Sequence, residues 1–280
     1  MGQPAYMSQT GQLYLEAFVP ELDKVSCIGP SFRAETEVDA RHLTEFTLLE
    51  IELQTDLGGL RNEIETIVGS MVNEVVETTG EELKYLGVDE KKIIESVKQP
   101  FEVMSYTEAV ETLKKDYPSI NWGDDLKSRH EGKLVELVGD KPLFITHFPE
   151  KIKFFNMRTN RDNEKIVNSM DLLLPYGGEA VGAAEREEDY VRLEKRLYNS
   201  DMVDLLIKRK TSGGEWEGLS YNEQKEEAVG LFQWYIDFVK ENPVKHAGCG
   251  IGGTRVMQFL LQCPDIRAAT TYPMNKESIL

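Results

Sequence analysis

Apolar residues near the start of the chain recur with two different periods. From Leu57 onward, Leu60, Ile64, Ile67, Met71 and Val75 follow one another every three or four positions, so "DLGGLRNEIETIVGSMVNEVVETTG" predicts an amphipathic helix closed by Gly80. Just ahead of it, "FTLLEIEL" (46–53) alternates apolar and acidic residues with the period of two of a half-buried strand, its acidic face turned to solvent. "QLYLEAFV" (12–19) predicts a short helix, 81–100 is polar and lysine-rich, and 107–115 predicts a second helix. A turn-rich loop at 118–126 then leads into a helix through His130 and Glu131. Strands dominate next, at 142–148, at 154–159 and twice within 168–186. Residues 187–240 read as charged helices, broken at 211–224 by the Gly, Ser and Asn content of a loop, the stretch expected to be least ordered. The last element, "GCGIGGTRVMQFLLQC" (248–263), is a glycine-rich strand or turn running into an apolar helix. This order is that of an α+β fold, an antiparallel sheet flanked by helices; it disfavours the alternating units of doubly wound nucleotide-binding folds.

Composition narrows the class. A chain of 280 residues, 40% of them apolar, can bury a sizeable core as one large domain, taken as 1–280. Its apolar runs fall short of the roughly 18 residues of a membrane span, and "MGQPAYMSQTG" lacks the regions of a signal peptide, so no membrane partner is expected and a cytoplasmic location is the expectation. Cys27, Cys249 and Cys263 are odd in number and no two are spaced as in a zinc or redox motif, so reduced, mostly buried thiols are expected. The formal net charge of −17 repels a polyphosphate unless positive charge is gathered locally.

Three clusters could gather such chemistry. Arg33 and Glu35 precede a five-residue loop (36–40), and Arg41, His42, Glu45 and Phe46 follow it into a return strand. Arginine forks suit phosphate oxygens and an aromatic ring suits a base, so the hairpin fits a nucleoside triphosphate; the other reading is a surface hairpin of alternating charge. In "GCGIGGTR", glycines would let the backbone approach a flat ligand with Arg255 presented on the next helical turn, or would simply make a tight strand-to-helix turn. In "DLLLPYGGEAVGAAER", Asp171 and Glu179 can share Mg²⁺ with substrate phosphates. A solvated acidic edge is the competing reading; it suits Glu185, Glu187, Glu188 and Asp189 better than Glu179, which is expected to be buried.

In this order the clusters resemble the catalytic domain of class II aminoacyl-tRNA synthetases of the aspartyl and asparaginyl subgroup. "FRAETEVDARHLTEF" is similar to that group's motif 2, "HAGCGIGGTR" to motif 3, and "GGEAVGAAER" to the segment with the metal ligand and the side-chain-binding arginine. The resemblance continues through "WGDDLKSRHE", "FPEKIKFFNMR" and "WYIDFVK", and omits only about 187–230, a longer helical and loop insertion. It implies a sheet of six or more antiparallel strands on which ATP, bound bent, activates an amino acid. Arg33 and Arg255 would be catalytic: Arg33 on the α-phosphate and substrate carboxylate, Arg255 stacked on the adenine face opposite Phe46. Glu35 would read the adenine amino group, Arg41 and His42 would clasp the terminal phosphates, and Leu43, Glu179, Gly252, Gly253 and Thr254 would complete the ATP contacts. Asp171 and Glu179 would hold Mg²⁺. Gln12, Leu15, Glu16, Arg33, Gly182 and Arg186 would surround the amino acid. Leu15 stands where aspartyl enzymes carry a lysine, and Glu16 would accept from the NH₂ of an amide whose carbonyl Arg186 meets, which favours asparagine over aspartate.

Departures from the family pattern shape the remaining expectations. Motif 1, which builds the family's usual homodimer interface, and the anticodon-binding barrel would lie upstream of Met1, so a catalytic core without an anticodon-binding domain is expected, as is loss of the loop that closes over the amino acid. Ala247 and Ala183 replace glycines, Thr254 replaces an acidic residue and Met274 an arginine, the last two changes being expected to weaken tRNA or ATP binding. Three functions follow. The first is activation of asparagine by ATP and transfer to tRNA. The second is ammonia-dependent asparagine synthesis through aspartyl adenylate, which Leu15 opposes. The third is a non-catalytic paralogue that binds a nucleotide or a partner protein.

Overall fold

The computed structural model describes residues 7–34 and 39–277. Its strands are β1 (Lys24–Phe32), β2 (Glu45–Leu53), β3 (Glu102–Ser105), β4 (Leu143–Thr146), β5 (Ser169–Leu174), β6 (Gly178–Glu185) and β7 (Ala247–Gly252). They form one sheet in the order β1-β2-β7-β6-β5-β4-β3. All neighbours pair antiparallel except β3, which runs parallel to β4 at one edge, so the expected antiparallel sheet carries one parallel strand. The helices are α1 (Gln12–Glu16), α2 (Val19–Leu22), α3 (Leu57–Tyr85), α4 (Glu90–Ser96), α5 (Tyr106–Leu113), α6 (Ser128–Leu137), α7 (Tyr190–Tyr198), α8 (Asp201–Ser212), α9 (Tyr221–Gly230), α10 (Gln233–Glu241) and α11 (Gly253–Leu260).

The two periods read from the sequence meet on opposite sides of one surface. The stripe of α3 keeps the expected Leu60 and Ile64 but continues through Val68 and Val72, fully buried in one cluster with Ile51, Phe144, Leu172, Val181 and Ile251 from one sheet face, while Ile67, Met71 and Val75, expected on it, flank it partly buried. On β2 this leaves Phe46, Leu48, Glu50 and Glu52 on the other face, because successive strand side chains alternate. A second core joins α5 and α6 to Leu143, Ile145 and Leu173, and a third joins α7–α10 to Phe155.

Several expectations need correction. Pro20 lacks the N–H that would continue the first helix, so 12–19 splits into α1 and the start of α2. Helix α3 passes Gly80 with a kink at Thr79 (φ −130°) and ends at Tyr85, since buried Leu83 anchors its last turns to Val88 and Ile93 of the same core. Residues 154–159 form no strand, making only isolated bridges such as Met157 to Arg186. Two of their carbonyls have another partner: the Arg196 guanidinium donates to the backbone oxygens of Phe154 (3.2 Å) and Met157, and to those of Glu150 (3.3 Å) and Lys153 (3.4 Å) just ahead of the segment. The break at 211–224 shrinks to 213–220, and it is pinned where Gln224 donates to Trp216 O and Leu219 O, both at 3.2 Å.

Candidate active site

The face of the sheet opposite α3 is the floor of a cleft of about 810 Å³. Its flatness comes from β7, whose cleft-facing positions Gly248, Gly250 and Gly252 pair with Glu52, Glu50 and Leu48 of β2. At Gly248 a side chain would collide with the Glu52 carboxylate, so glycine is what lets that acid lie across the sheet. Strand β6 continues the floor with Gly182, opposite Gly250.

One end carries the basic hairpin. Arg33 lies just past β1, its N–H donating to Thr44 O at 2.9 Å, and its guanidinium sits 5.1 Å from the centre of the Phe46 ring. Both line the cleft with Arg41, His42, Leu43, Thr254 and Arg255, so the residues expected at ATP converge there. Glu35 lies outside the described residues. Gly252 lines the cleft, while Gly253 begins α11 and does not. The cations are already held: Arg41 pairs with Glu131 at 2.6 Å, and Arg255 donates to Gly177 O at 2.8 Å and Arg41 O at 2.6 Å. Burial, helped by nearby Arg41, lowers Arg255 to about 10. His42 faces Asp39 at 2.8 Å, and although burial opposes it, donors from Arg41 and His42 hold Asp39 below its ordinary value. Gly178, at φ +63° beneath Arg41 and Glu131, has no room for a side chain. The Met274 carbonyl accepts from Thr44 N at 2.8 Å, so this substituted position still fastens the hairpin through its backbone.

The expected Mg²⁺ pair is only half available. Asp171 is buried, and Lys153 donates to both of its oxygens, at 2.8 and 2.6 Å, while lying 3.9 Å over the Phe148 ring. Burial raises Asp171 to about 7 and Lys153 opposes that rise. Glu179, expected to be buried, is exposed on the cleft wall and enters no ion pair among the described residues. Bound with ATP, a divalent ion would therefore be carried by Glu179 and phosphate oxygens, with Asp171 already committed to a lysine.

At the other end lies a buried polar cluster. Arg186, 3% exposed, donates through Nε (3.2 Å) and an Nη (2.5 Å) to Glu52, and its Nε is 3.7 Å from Glu16. Glu16 accepts from Tyr235 Oη at 2.5 Å, Asn156 Nδ2 at 3.0 Å and His246 Nε2 at 3.2 Å. Burial raises Glu52 to about 7 against the pull of Arg186; His246 is pulled down by burial but ends raised because Glu16 bonds it. Glu16, expected to touch the amino acid, thus sits behind Arg186 and does not line the cleft, and neither does Leu15. Gln12, Gly182 and Arg186 do line it.

Sequence reasoning missed Glu50, Glu52, Glu131, Lys153, Asn156, Tyr235 and His246. The first two had a signal in the glutamates on the polar phase of β2: read as solvated, they are 5% and 0% exposed.

A mixed sheet of this order, with a glycine floor between a basic hairpin and a buried arginine, defines the catalytic core of a class II aminoacyl-tRNA synthetase. The family described as tRNA synthetases class II (D, K and N) matches residues 2–276, and the chain belongs to it. The asparagine-tRNA ligase of Desulforamulus reducens is 33% identical over 274 residues, 97% of this chain and 58% of the relative. The asparaginyl-tRNA synthetase of Pyrococcus horikoshii complexed with asparaginyl-adenylate superposes with a TM-score of 0.83 at 32% identity, covering 98% of this chain and 58% of that one. That of Entamoeba histolytica, also in complex with asparaginyl-adenylate, gives 0.79 at 28% identity over 100% of this chain and 59% of that one. This chain thus spans under two thirds of the length of these relatives.

Proposed function

We propose that this chain is the catalytic core of an asparaginyl-type synthetase, activating asparagine with ATP for transfer to tRNA. The observation that carries the reading is the single cleft joining a cationic, aromatic end to a buried guanidinium across a glycine floor. In that reading an asparagine carboxylate oxygen attacks the α-phosphorus, the bond to the bridging oxygen of the β-phosphate breaks, and pyrophosphate leaves with the electron pair. Arg33 would meet the charge that develops at the α-phosphate; Arg41 and His42 would exchange Glu131 and Asp39 for the departing phosphates. Phe46 and Arg255 would hold the base. Mg²⁺ would supply charge neutralisation between phosphate oxygens, with Glu179 as its protein ligand. The aminoacyl group would then pass to a tRNA 3′ hydroxyl, releasing AMP.

The charge state of the deep end favours the amide. Arg186 already faces Glu52 and Glu16, so a substrate carboxylate would enter beside two acids with no cation to spare, whereas an amide oxygen can accept from Arg186. The related proteins titled as asparaginyl enzymes point the same way. Asparagine-dependent exchange of labelled pyrophosphate into ATP by the purified chain tests this. Exchange driven by asparagine and not by aspartate is expected; a folded protein with no exchange for either would sink the reading, and exchange with aspartate alone would select aspartyl adenylate formation.

A further inference from the structure

The helices α7–α10 form a module with its own core, and the reading above gives them no task. They hold α1 residue by residue. Leu13 packs into the module's core, Tyr14 stacks on Trp234 with ring centres 5.5 Å apart, and Glu16 accepts from Tyr235 Oη at 2.5 Å. A helix of five residues without a side-chain cap has little stability of its own, so these contacts set where α1 lies. From there α1 turns Gln12 to the cleft and Glu16 to the back of Arg186.

The bond from Tyr235 decides which oxygen of Glu16 is anchored. Oε2 accepts from Tyr235 and from His246 Nε2 (3.2 Å), whereas Oε1 accepts from Asn156 Nδ2 (3.0 Å) and stands 3.7 Å from Arg186 Nε. That gap is too long for a hydrogen bond. Arg186 Nε therefore stays on Glu52 at 3.2 Å together with one Nη, and the other Nη, without a partner among the described residues, is left for the cleft. Tyr235 itself is 0% exposed, its ring edge-on to Phe155 at 6.1 Å, so the packing of the module fixes its hydroxyl. A buried carboxylate that loses a donor turns to the next one in reach, which for Glu16 is Arg186 Nε. Closing that gap would draw the guanidinium off Glu52 and turn its fork away from the cleft. We propose that Tyr235 is a positioning residue: through Glu16, it lets the module α7–α10 hold Arg186 where its free Nη meets the side-chain amide of the substrate. This assignment rests on the proposed function and gives the helical module a part in it.

The test is Tyr235→Phe, which removes one hydroxyl and keeps the ring, in asparagine-dependent pyrophosphate exchange. The KM for asparagine is expected to rise about tenfold or more, with that for ATP within about twofold, because only the deep end of the cleft moves. A lower urea midpoint with both KM values unchanged would mean that the hydroxyl only stabilises the module, and equal rises for asparagine and ATP would mean a general loosening; either overturns the assignment. Adding Tyr235→Phe to Glu16→Gln, whose amide carries no charge to pull Arg186, is expected to change the asparagine KM by less than about twofold. A larger change would show that Tyr235 acts by another route than Glu16, and this pair carries the test should Tyr235→Phe alone fail to fold. A wild type without exchange would overturn the functional reading and this assignment together, whereas wild-type exchange that ignores Tyr235 overturns the assignment only.

Discussion

Lys153 decides what the Asp171 carboxylate can do. With a buried ammonium on both oxygens, Asp171 must lose an ion pair before it can bind a metal, and breaking a buried pair one-sidedly costs about 3–5 kcal/mol. Glu179 faces no such cost. In Mn²⁺ titrations with ATP followed by electron paramagnetic resonance, Glu179→Gln should weaken the ion by about tenfold or more, the weight of about 1.4 kcal/mol. The paired change Lys153→Met with Asp171→Leu, which removes both charges together, should leave Mn²⁺ affinity within about threefold. Equal losses in the two proteins would restore Asp171 as a ligand. Arg186 has an equally specific requirement, because only a planar fork donates twice to Glu52 while facing the cleft. Arg186→Lys should raise the KM for asparagine by more than about tenfold and leave that for ATP unchanged, measured by pyrophosphate exchange. At this scale the sequence was legible for which residues meet, since Arg33, Arg41, Phe46 and Arg255 line one cleft as the resemblance implies. It was mute about pairing: Glu131 is 90 positions from Arg41 and Tyr235 is 219 from Glu16, and no local spacing encodes those partners.

Elements were legible where one period runs unopposed. The stripe of α3 and the alternation of β2 were both readable because each packs on a single surface, and Leu60→Ala, at 0% exposure between helix and sheet, should cost about 2–5 kcal/mol in urea unfolding. A smaller loss would mean that the sheet collapses into the space. The 154–159 segment misled because its apolar and polar residues suit a strand while two of its backbone acceptors, Phe154 O and Met157 O, are claimed by Arg196, a residue of α7 that sequence order does not place there. The connection at 213–220 misled in the opposite sense, since glycine content speaks for turns but is silent about what pins them. Here a capping box does so: Ser220 and Glu223 bond reciprocally, with Glu223 accepting from Ser220 N at 2.8 Å. Ser220→Ala should cost about 1 kcal/mol and speed proteolysis within 213–220. Unchanged cleavage would show that the box does not hold this connection.

The molecule as a whole carries −17 charge and buries several acids in its sheet, Glu52 and Asp171 among them. For a carboxyl whose folded value is raised, the folded state binds its proton more tightly than the unfolded chain, so its contribution is fully present below the unfolded value and is lost as pH rises through the folded one. With Glu52 and Asp171 both raised to about 7 by burial, that loss should fall as pH climbs from about 4 to above 7. His246, also raised, loses its favourable proton on the same climb. Acids held below their ordinary values, such as Asp39 and Asp265, act only at the acid end, where their contribution disappears as they protonate. Growing negative charge adds self-repulsion in the same direction as the buried acids. The urea midpoint of the ligand-free chain should therefore decline between pH 6 and pH 8. Glu52→Gln, which keeps one oxygen for Arg186 and cannot lose a proton, should flatten that decline, whereas Glu102→Gln at the exposed sheet edge should leave its slope unchanged. A slope identical in Glu52→Gln and wild type would place the pH dependence in the surface charge and not in the buried cluster that carries Arg186.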